Sequence, residues 1–371
     1  MVRPVRHKVT FLSRQSDEMP VDFSLLRAEL SASDKTLELK SLCCTDATCR
    51  STPWGHITKV MRELWHIANS QAVVLDGYSV AVSYFPQRQS LYVLQCWHAL
   101  GALKRFSWQA VDTPGGRTSA IARALRMHAN YSTLLCGGEA SRVIFSHAFR
   151  VARSRIHALP LPRCDVLSSP DPNRMELLAQ SWPELVTSRP LVLYAPTFRD
   201  TEEDYAHWYT ETERLTQALS ARGVTVVIKT HFRTAVDEQS PNSTGLPPVS
   251  LVELPALINP DVDTLDLLML ADQVVTDYSA VSFEAAVAGK PLWFFIPDIE
   301  VYAEQRGLNV DPRDEMPESC FGDAEALAEA IVAMDSPHPS SAQTAFLERY
   351  VQSSSVPAAK QITRLVLKHI A

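Results

Sequence analysis

Apolar and polar positions along the chain follow two alternating periods. Short runs of branched and aromatic residues, typical of buried strands, are separated by stretches with apolar residues every three or four positions, typical of amphipathic helices. This alternation predicts parallel sheets joined by crossover helices. The predicted strands are His7–Ser13, Thr36–Leu42, Ala72–Leu75, Leu91–Cys96, Ser132–Cys136, Leu191–Ala195, Val224–Lys229, Gln273–Thr276 and Leu292–Ile296. The predicted helices are Phe23–Leu30, Trp54–Ala68, Thr118–Arg126, Glu139–Phe149, Tyr205–Ala221, Asp263–Leu270 and Ser279–Ala288.

A proline-rich stretch divides this pattern near the middle of the chain. The sequence LPLPRCDVLSSPDPN, residues 159–173, interrupts both periods and is the best domain boundary. We therefore predict an α/β protein with two Rossmann-like domains, residues 1–160 and 174–371, joined by a linker at 161–173. Ligands are expected at the carboxyl ends of the strands, facing a cleft. The tail from Asp323 onward is predicted to be helical and to pack back over the join.

Composition excludes several classes of protein. The 371 residues are 46% hydrophobic and 21% charged, which is ordinary for a globular protein of two domains. No apolar run approaches the length of a membrane span, and the N-terminus has no apolar segment of a secretory signal. The seven cysteines are odd in number and lack metal-ligand spacing, which indicates reduced thiols in a cytoplasm and no metal site. Neither G-x-G-x-x-G nor a Walker A loop occurs, so no nicotinamide or other cofactor is expected.

The net charge of −7 conceals a local basic excess. From Lys104 to Arg163, ten lysines and arginines stand against only Asp112 and Glu139. This excess favours an anionic partner: a membrane surface, a lipid-linked phosphate or a nucleic acid. The alternative is a solvated helix face.

One polar cluster in the first half follows a predicted strand. In QCWHALGALKRF, residues 95–106, His98 lies beside Trp97 and is followed by Lys104 and Arg105. A histidine at a strand end beside cations is well placed to be a general base. The alternative is a structural histidine next to a tryptophan.

Two clusters in the second half combine cations with hydroxyl groups after strands. LYAPTFRD, residues 193–200, contains Thr197 and Arg199, and VIKTHFR, residues 227–233, contains Lys229 and His231. Arginine binds phosphate oxygens bidentately, so these strand exits favour a phosphate ligand.

The segment TDYSAVSFEAAVAGKP, residues 276–291, is the most informative stretch of the chain. A short strand leads through Asp277 and Ser279 directly into a predicted helix. Unpaired N–H groups and the positive end of the helix dipole make such a turn a site for phosphate or diphosphate. Glu284, one or two turns into the helix, could accept hydrogen bonds from ribose hydroxyls. The alternative is an ordinary βαβ unit with a polar turn.

Together these motifs resemble the CDP-glycerol glycerophosphotransferases, the teichoic-acid-type polymerases and primases. The resemblance runs from about residue 7 to about residue 325 and includes HKVTFLSRQSDEMPVDF, HALPLPRCDVL, DLLMLADQVVTDYSAVSFEAAVAGKPLWFF and YAEQRGLNVD besides the motifs above. It implies a glycosyltransferase-B-type fold with an acceptor-binding N-terminal half and a donor-binding C-terminal half. The sequence departs from the family at Ala99, where glycine is common, and at Ala280, where a second serine is frequent.

The resemblance also implies roles for individual residues. His98 would take the proton of the acceptor hydroxyl, and His231 would contact the diphosphate or the transferred phosphoryl group. Lys104 and Arg105 would face the acceptor or the membrane. The residues expected to bind the donor are Thr197, Arg199, Lys229, Thr276, Asp277, Ser279, Ser282 and Glu284.

The activity that the resemblance implies is transfer of glycerol phosphate or ribitol phosphate from a CDP-alditol, with release of CMP. The acceptor would be a hydroxyl of a prenyl-diphosphate-linked saccharide or of a growing polyol-phosphate polymer. The enzyme would act in the cytoplasm, peripherally on an anionic membrane surface, in teichoic acid or capsule-type synthesis. One alternative is a UDP-sugar glycosyltransferase or UDP-sugar epimerase on the same fold. Another is a nucleotide-binding or nucleic-acid-binding module, which the lack of interleaved aromatic residues and of nucleic-acid motifs disfavours.

Overall fold

A computed structural model describes residues 4–45, 48–49, 54–113, 116–197, 199, 201–230, 254–258, 262–334 and 338–371. The chain forms two compact units, each discontinuous in sequence. Unit 1 consists of Met1–Gly101, Phe106–Asp165 and Glu348–Ala371, and unit 2 consists of Ala102–Arg105 and Val166–Leu347. The predicted domains were consecutive, whereas residues 102–105 belong to unit 2 and the end of the chain belongs to unit 1.

Unit 1 contains a six-stranded sheet in which every paired strand is parallel. The strand order is β2-β1-β3-β4-β5-β6, so the order of the strands reverses between β1 and β3. Valine-rich and leucine-rich strands are buried on both faces, as parallel sheets covered by helices require. The strands are β1 Lys8–Ser13, β2 Glu38–Cys43, β3 Ala72–Leu75, β4 Tyr92–Gln95, β5 Thr133–Cys136 and β6 Ile156–Ala158.

Unit 2 contains a second six-stranded parallel sheet, with the order β12-β11-β10-β7-β8-β9. This is the 3-2-1-4-5-6 arrangement of a Rossmann sheet, and the order reverses between β7 and β10. Ligands of such sheets bind at the carboxyl ends of the strands beside that point. The strands are β7 Leu191–Ala195, β8 Thr225–Ile228, β9 Leu257–Ile258, β10 Gln273–Thr276, β11 Leu292–Phe295 and β12 Cys320–Phe321.

The helices cover the sheets, and several of them begin at polar residues that cap the first turn. The side chains of Thr201, Asp263 and Asp323 each accept a hydrogen bond from a backbone N–H of the first turn that follows. The helices of unit 1 and the following segment are α1 Val21–Ser33, α2 Gly55–Ile67, α3 Val80–Ser83, α4 Ser119–Ala124, α5 Ser141–Phe149 and α6 Arg163–Ser168. The later helices are α7 Pro172–Ser181, α8 Pro183–Thr187, α9 Glu202–Ala221, α10 Thr264–Leu270, α11 Val281–Val287, α12 Ile299–Arg306, α13 Pro312–Glu315, α14 Ala324–Ala333, α15 Ser341–Tyr350 and α16 Ala358–Ile370.

The last helix is an integral part of unit 1. Helix α16 packs against α1, and its inner residues Ile362 and Val366 are buried. The carboxylate of Asp165 accepts hydrogen bonds from the backbone N–H groups of Ala358 and Ala359, at 2.7 and 3.1 Å. A carboxylate at a helix N-terminus satisfies N–H groups that have no partner within the helix.

No helix in the part of the chain that the structure describes is long and apolar enough to cross a membrane.

Candidate functional site

The segments that follow β7 and β10 are linked by a hydrogen bond at the point where the strand order of unit 2 reverses. The carboxylate of Asp277, directly after β10, accepts hydrogen bonds from the backbone N–H groups of Thr197 (2.8 Å) and Tyr278 (2.6 Å). Asp277 is fully buried. The predicted juxtaposition of these two strand exits is therefore present, with Asp277 as the link between them.

Arg199 is buried between two carboxylates. Its Nη1 donates to Asp277 (2.9 Å) and to the carbonyl of Thr197 (2.9 Å), and its Nε donates to Asp298 (3.1 Å). Burial lowers the pKa of Arg199, but the two carboxylates outweigh burial, so the pKa is raised and the side chain stays charged. Arg199 was predicted to bind phosphate directly. The hydrogen bonds described above go to protein oxygens, so Arg199 holds the two strand exits, and its contact with a phosphate stays a prediction.

Asp298 and two tyrosines complete this arrangement and were missed by sequence reasoning. The Tyr278 hydroxyl donates to Asp298 at 2.9 Å, and its ring stacks on Tyr302 with centroids 3.8 Å apart. Burial is the main cause that raises the pKa of Tyr278. Asp298 follows β11, the neighbour of β10, so its position after a predicted strand was the signal available.

Several predicted donor-binding residues lie around the same strand ends. Thr197 is buried, and its Oγ1 has no hydrogen-bond partner within the described residues. The Ser282 hydroxyl donates to the carbonyl of Ser279 at 2.9 Å, and Glu284 is buried in the first turn of α11. The Thr276 hydroxyl donates to a carbonyl of β7, so it contributes to sheet pairing. A buried hydroxyl without a partner is a group that a bound ligand can satisfy.

The third predicted cluster is described only in part. Lys229 lies one residue beyond β8, and its backbone N–H donates to the carbonyl of Tyr194 at 2.9 Å. His231 lies outside the described residues, so its role stays a prediction.

His98 lies in unit 1, beyond the carboxyl end of β4. Its Nδ1 is 2.9 Å from the backbone carbonyl of Asp76, which follows β3. A carbonyl can only accept, so Nδ1 carries the proton and Nε2 is the basic nitrogen of the neutral ring. Trp97 has a φ of 63°, in the left-handed region that bulky residues rarely adopt, and its ring lies 4.0 Å from the His98 ring. Backbone strain of this kind is concentrated at functional sites.

Asp76 is a buried carboxyl at the strand-order reversal of unit 1. It accepts hydrogen bonds from the hydroxyl of Ser13 (2.5 Å), the last residue of β1, and from the backbone N–H of Arg14 (3.2 Å), which follows it. Burial raises the pKa of Asp76 to about 6, although these hydrogen bonds lower it. The buried side chain thus holds the turn whose carbonyl orients His98. Asp76 was not identified from the sequence, although the sequence shows an acidic residue directly after a predicted strand.

We predict that Asp76 makes stability depend on pH. The unfolded carboxyl releases its proton near pH 4 and the native one near pH 6, so the native state binds more protons in between. Stability contributed by the protonated form is therefore present below pH 4 and is lost as pH rises to 6, by about 2–3 kcal/mol. Urea unfolding of wild type and Asp76→Asn should show this loss in the wild type alone. Parallel pH curves for the two proteins would contradict the prediction.

A cationic and aromatic cluster lies near His98. The guanidinium groups of Arg14 and Arg117 lie 6.0 and 5.1 Å from the ring centroid of Tyr78, and Arg14 also donates to the Tyr78 carbonyl at 2.7 Å. Burial lowers the pKa of the nearby His128 to about 3, and the positive charges of Arg117 and Arg14 act in the same direction. His128 is therefore neutral, and the surroundings of His98 are locally positive.

Lys104 and Arg105 lie in unit 2. Lys104 forms an isolated antiparallel bridge with Leu308, and the Arg105 N–H donates to the carbonyl of Gly307 at 2.9 Å. Asn309 closes this contact by donating to the Lys104 carbonyl at 2.9 Å. Gly307 has a φ of 75°, in a region that favours glycine, so a side chain there would strain the backbone. The motifs QCWHALGALKRF and YAEQRGLNVD, separated by about 200 positions, thus pair with each other over a few residues.

The basic stretch from Lys104 to Arg163 does not form a set of equivalent surface cations. Arg150 lies 3.7 Å from the centroid of the Trp108 ring, and Arg163 donates to the carboxylate of Asp22 at 2.9 Å. These contacts hold elements of unit 1 together.

In the described part of the chain, no group of three or more His, Cys, Asp and Glu side chains could hold a metal ion.

Two parallel α/β units, one of them with Rossmann order and a polar switch point, are typical of the glycosyltransferase-B-type fold. The wall teichoic acid polymerase TagF has this fold, with a TM-score of 0.72 at 19% identity over 99% of this chain and 90% of that chain. A variant of TagF soaked with CDPG gives a TM-score of 0.71. A UDP-N-acetylglucosamine 2-epimerase from Neisseria meningitidis is less similar, with a TM-score of 0.58 at 12% identity over 97% of this chain and 99% of that chain.

The chain belongs to the CDP-glycerol:poly(glycerophosphate) glycerophosphotransferase family, whose model matches residues 1–368. It is 26% identical over 306 residues to a teichoic acid ribitol-phosphate primase of Bacillus spizizenii, covering 82% of this chain and 76% of that protein. It is 28% identical over 255 residues to a teichoic acid glycerol-phosphate primase of the same organism, covering 68% and 63%. The chain thus spans between three fifths and about three quarters of the length of these two relatives. The family predicted from the motifs is confirmed.

Proposed function

We propose that the protein transfers an alditol phosphate, either glycerol phosphate or ribitol phosphate, from a CDP-alditol to a hydroxyl acceptor in teichoic acid synthesis. The observation that carries this proposal is the orientation of His98. In a member of this family, a histidine held through Nδ1 presents its basic Nε2 for proton removal. The primases of Bacillus spizizenii and the polymerase TagF, which share the sequence or the fold, support the same class of reaction.

The proposed reaction is an in-line displacement at phosphorus. The acceptor oxygen attacks the phosphorus that bears the alditol, and the bond from this phosphorus to the oxygen bridging to CMP breaks. Nε2 of His98 takes the proton of the acceptor hydroxyl, and CMP leaves with the bonding electrons. General-base assistance of this kind contributes about 10²–10⁴-fold to a rate.

The donor is proposed to bind at the switch point of unit 2. The buried Thr197 hydroxyl, the turn around Ser279 and the side chain of Lys229 supply hydroxyl, N–H and cationic donors for the diphosphate. Glu284 is proposed for the ribose. The ion pair between Arg199 and Asp277 positions this turn.

The acceptor is proposed to be a prenyl-diphosphate-linked saccharide or a polyol-phosphate chain grown from it. Such an acceptor is anchored in a bilayer, so the protein would work peripherally at the cytoplasmic face of an anionic membrane. The positive surroundings of His98, formed by Arg14 and Arg117, suit a phosphate-bearing acceptor.

The test is CMP release from CDP-glycerol and from CDP-ribitol, each with and without a prenyl-diphosphate-linked saccharide. Acceptor-dependent CMP from one donor would establish the reaction and identify the alditol. No CMP from either donor, together with tight binding of UDP-sugars, would overturn the proposal in favour of sugar-nucleotide chemistry.

Thr197→Val tests the donor site with little structural change. The substitution keeps the shape of the side chain and removes a hydroxyl that has no hydrogen-bond partner in the described structure, so stability should not fall. A lost hydrogen bond to a charged phosphate should raise the KM for the CDP-alditol about tenfold. The measurements are KM by CMP release and the unfolding midpoint. Thr363→Val is the control, because its buried Oγ1 also lacks a hydrogen-bond partner in the described structure but lies on α16 in unit 1. An unchanged KM for Thr197→Val would exclude Thr197 from the site.

A further inference from the structure

Two thiols meet directly after β2 in unit 1. The sulfur atoms of Cys44 and Cys49, five positions apart in the sequence, lie 2.8 Å from each other. Cys44 is partly exposed, whereas Cys49 is buried with 3% of its surface exposed. A disulfide forms without backbone movement only where the fold already brings two cysteines together. This pair meets that condition.

The backbone around the pair is fixed by contacts of its own. The carboxylate of Asp17 accepts hydrogen bonds from the Thr45 N–H at 2.7 Å and from the Thr48 hydroxyl at 2.6 Å. These threonines directly follow the first cysteine and directly precede the second. The carbonyl of Cys44 accepts a further hydrogen bond from Nζ of Lys59 at 2.7 Å. The separation of the two thiols is therefore set by a carboxylate that both ends of the turn share.

The remaining cysteines are poor targets for an oxidant. Burial raises the pKa of Cys136 and of Cys320 to about 12. Burial also raises the pKa of Cys43 and of Cys96, and Cys164 is buried in α6. The thiolate is the attacking form of a cysteine, so a thiol that stays protonated or inaccessible reacts slowly.

We propose that Cys44 and Cys49 form a site of reversible modification, at which a hydroperoxide converts the two thiols into an intramolecular disulfide. Accessible thiols poised next to a second, resolving cysteine are the ones that sense oxidation. In a reducing compartment such a disulfide is transient, because cellular thiols reduce it again by exchange.

The exposures of the two cysteines assign their roles. Cys44, the more exposed thiol, attacks the terminal oxygen of the hydroperoxide and becomes a sulfenic acid. The O–O bond breaks, and an alcohol leaves, or water where the oxidant is hydrogen peroxide. The sulfur of Cys49 then attacks the sulfur of Cys44, the S–O bond breaks, and water leaves with the thiol proton. Two electrons pass from the sulfur atoms to the hydroperoxide.

The experiment treats the full chain, reduced and folded, with hydrogen peroxide and then alkylates the remaining thiols in urea. Trypsin cleaves after Lys40 and Arg50, so it releases Cys43, Cys44 and Cys49 in the single peptide 41–50. After oxidation this peptide should carry one alkyl group instead of three and should have lost two hydrogen atoms to the disulfide. Dithiothreitol added before alkylation should restore the fully alkylated peptide.

Three variants separate the roles of the cysteines. Cys44→Ser should form no disulfide and should keep the Cys49 thiol reduced. Cys49→Ser removes the resolving thiol, so the sulfenic acid of Cys44 should persist and be trapped by dimedone. Cys43→Ser is the matched control, because Cys43 adjoins the pair and lies in the same peptide. It should form the disulfide at the wild-type rate.

The contrary outcomes are distinct. Full alkylation of peptide 41–50 after peroxide treatment would overturn the proposal, as would equal rates of thiol loss in wild type and Cys44→Ser. Loss of the disulfide in Cys43→Ser would assign the bond to Cys43 instead, and a covalent dimer on a non-reducing gel would show that oxidation links two chains. None of these measurements involves a nucleotide. Their failure therefore leaves the proposed reaction standing, and absence of CMP release would leave the thiol site standing.

Discussion

Replacing His98 by alanine is expected to lower turnover by about 10²–10⁴-fold, the usual contribution of a general base. The KM for the CDP-alditol should change little, because His98 lies in unit 1 and the proposed donor residues lie in unit 2. The measurement is acceptor-dependent CMP release together with donor binding by calorimetry.

Two further variants isolate the base. His98→Asn keeps a side-chain donor that can reach the Asp76 carbonyl but has no basic nitrogen, so it should be as inactive as the alanine variant. His147→Ala is the control, since His147 is exposed on α5. Near-normal turnover in His98→Asn would show that the ring serves packing and orientation only.

Removing the carboxylate of Asp277 is expected to cause the largest loss of stability. Asp277→Asn leaves the buried Arg199 paired with Asp298 alone, so the loss should lie at or below the lower end of the about 3–5 kcal/mol that breaking a buried pair costs. The loss should appear as a lower urea midpoint, followed through the fluorescence of buried Trp208 and Trp293 in unit 2. Donor turnover should fall as well, because Asp277 ties the two strand exits that frame the proposed diphosphate site.

An ion pair on the protein surface serves as the control for this buried one. Glu300→Gln breaks the exposed pair with Arg313 and should leave the midpoint unchanged. If Asp277→Asn is as stable as wild type, the pair does not hold the switch point.

The fold class followed from the alternation of short apolar runs with amphipathic stretches. The strands missed by this reasoning, such as β9 with two residues and β12 with two, are too short for their residues to show any period. Their place in the sheet depends on neighbouring strands, which a local pattern does not contain. Element ends were also displaced by one to three residues, as at α11, which begins at Val281 rather than at Ser279.

The candidate site was predictable in its location but not in its internal contacts. The rule that ligands gather at the carboxyl ends of parallel strands brought Thr197, Arg199 and Asp277 to one edge. It could not reveal that Arg199 is occupied by Asp298, 99 positions away, because this depends on side-chain packing around adjacent strands. The role of Asp76 was not predictable for the same reason, because it depends on Ser13, which lies at the end of the neighbouring strand β1.

The number of cations in a stretch of sequence also did not predict how they are arranged in the structure. The basic stretch is contiguous in sequence but is spread over several elements, some of whose arginines stack on rings or pair with acids. A local sum of charges therefore does not predict which cations take part in contacts inside the unit.

Because unit 1 is built from separate stretches of the chain, it cannot be produced by truncating the protein at one position. A fragment that stops at Asp165 contains all six strands of the first sheet but lacks α16, and it leaves the Asp165 carboxylate without the N–H groups of Ala358 and Ala359. The complementary fragment would carry α16 as an amphipathic helix with its apolar face uncovered. Neither half can therefore be isolated intact by a single cleavage. A permuted chain in which residues 348–371 precede the native N-terminus is the natural way to obtain unit 1 alone.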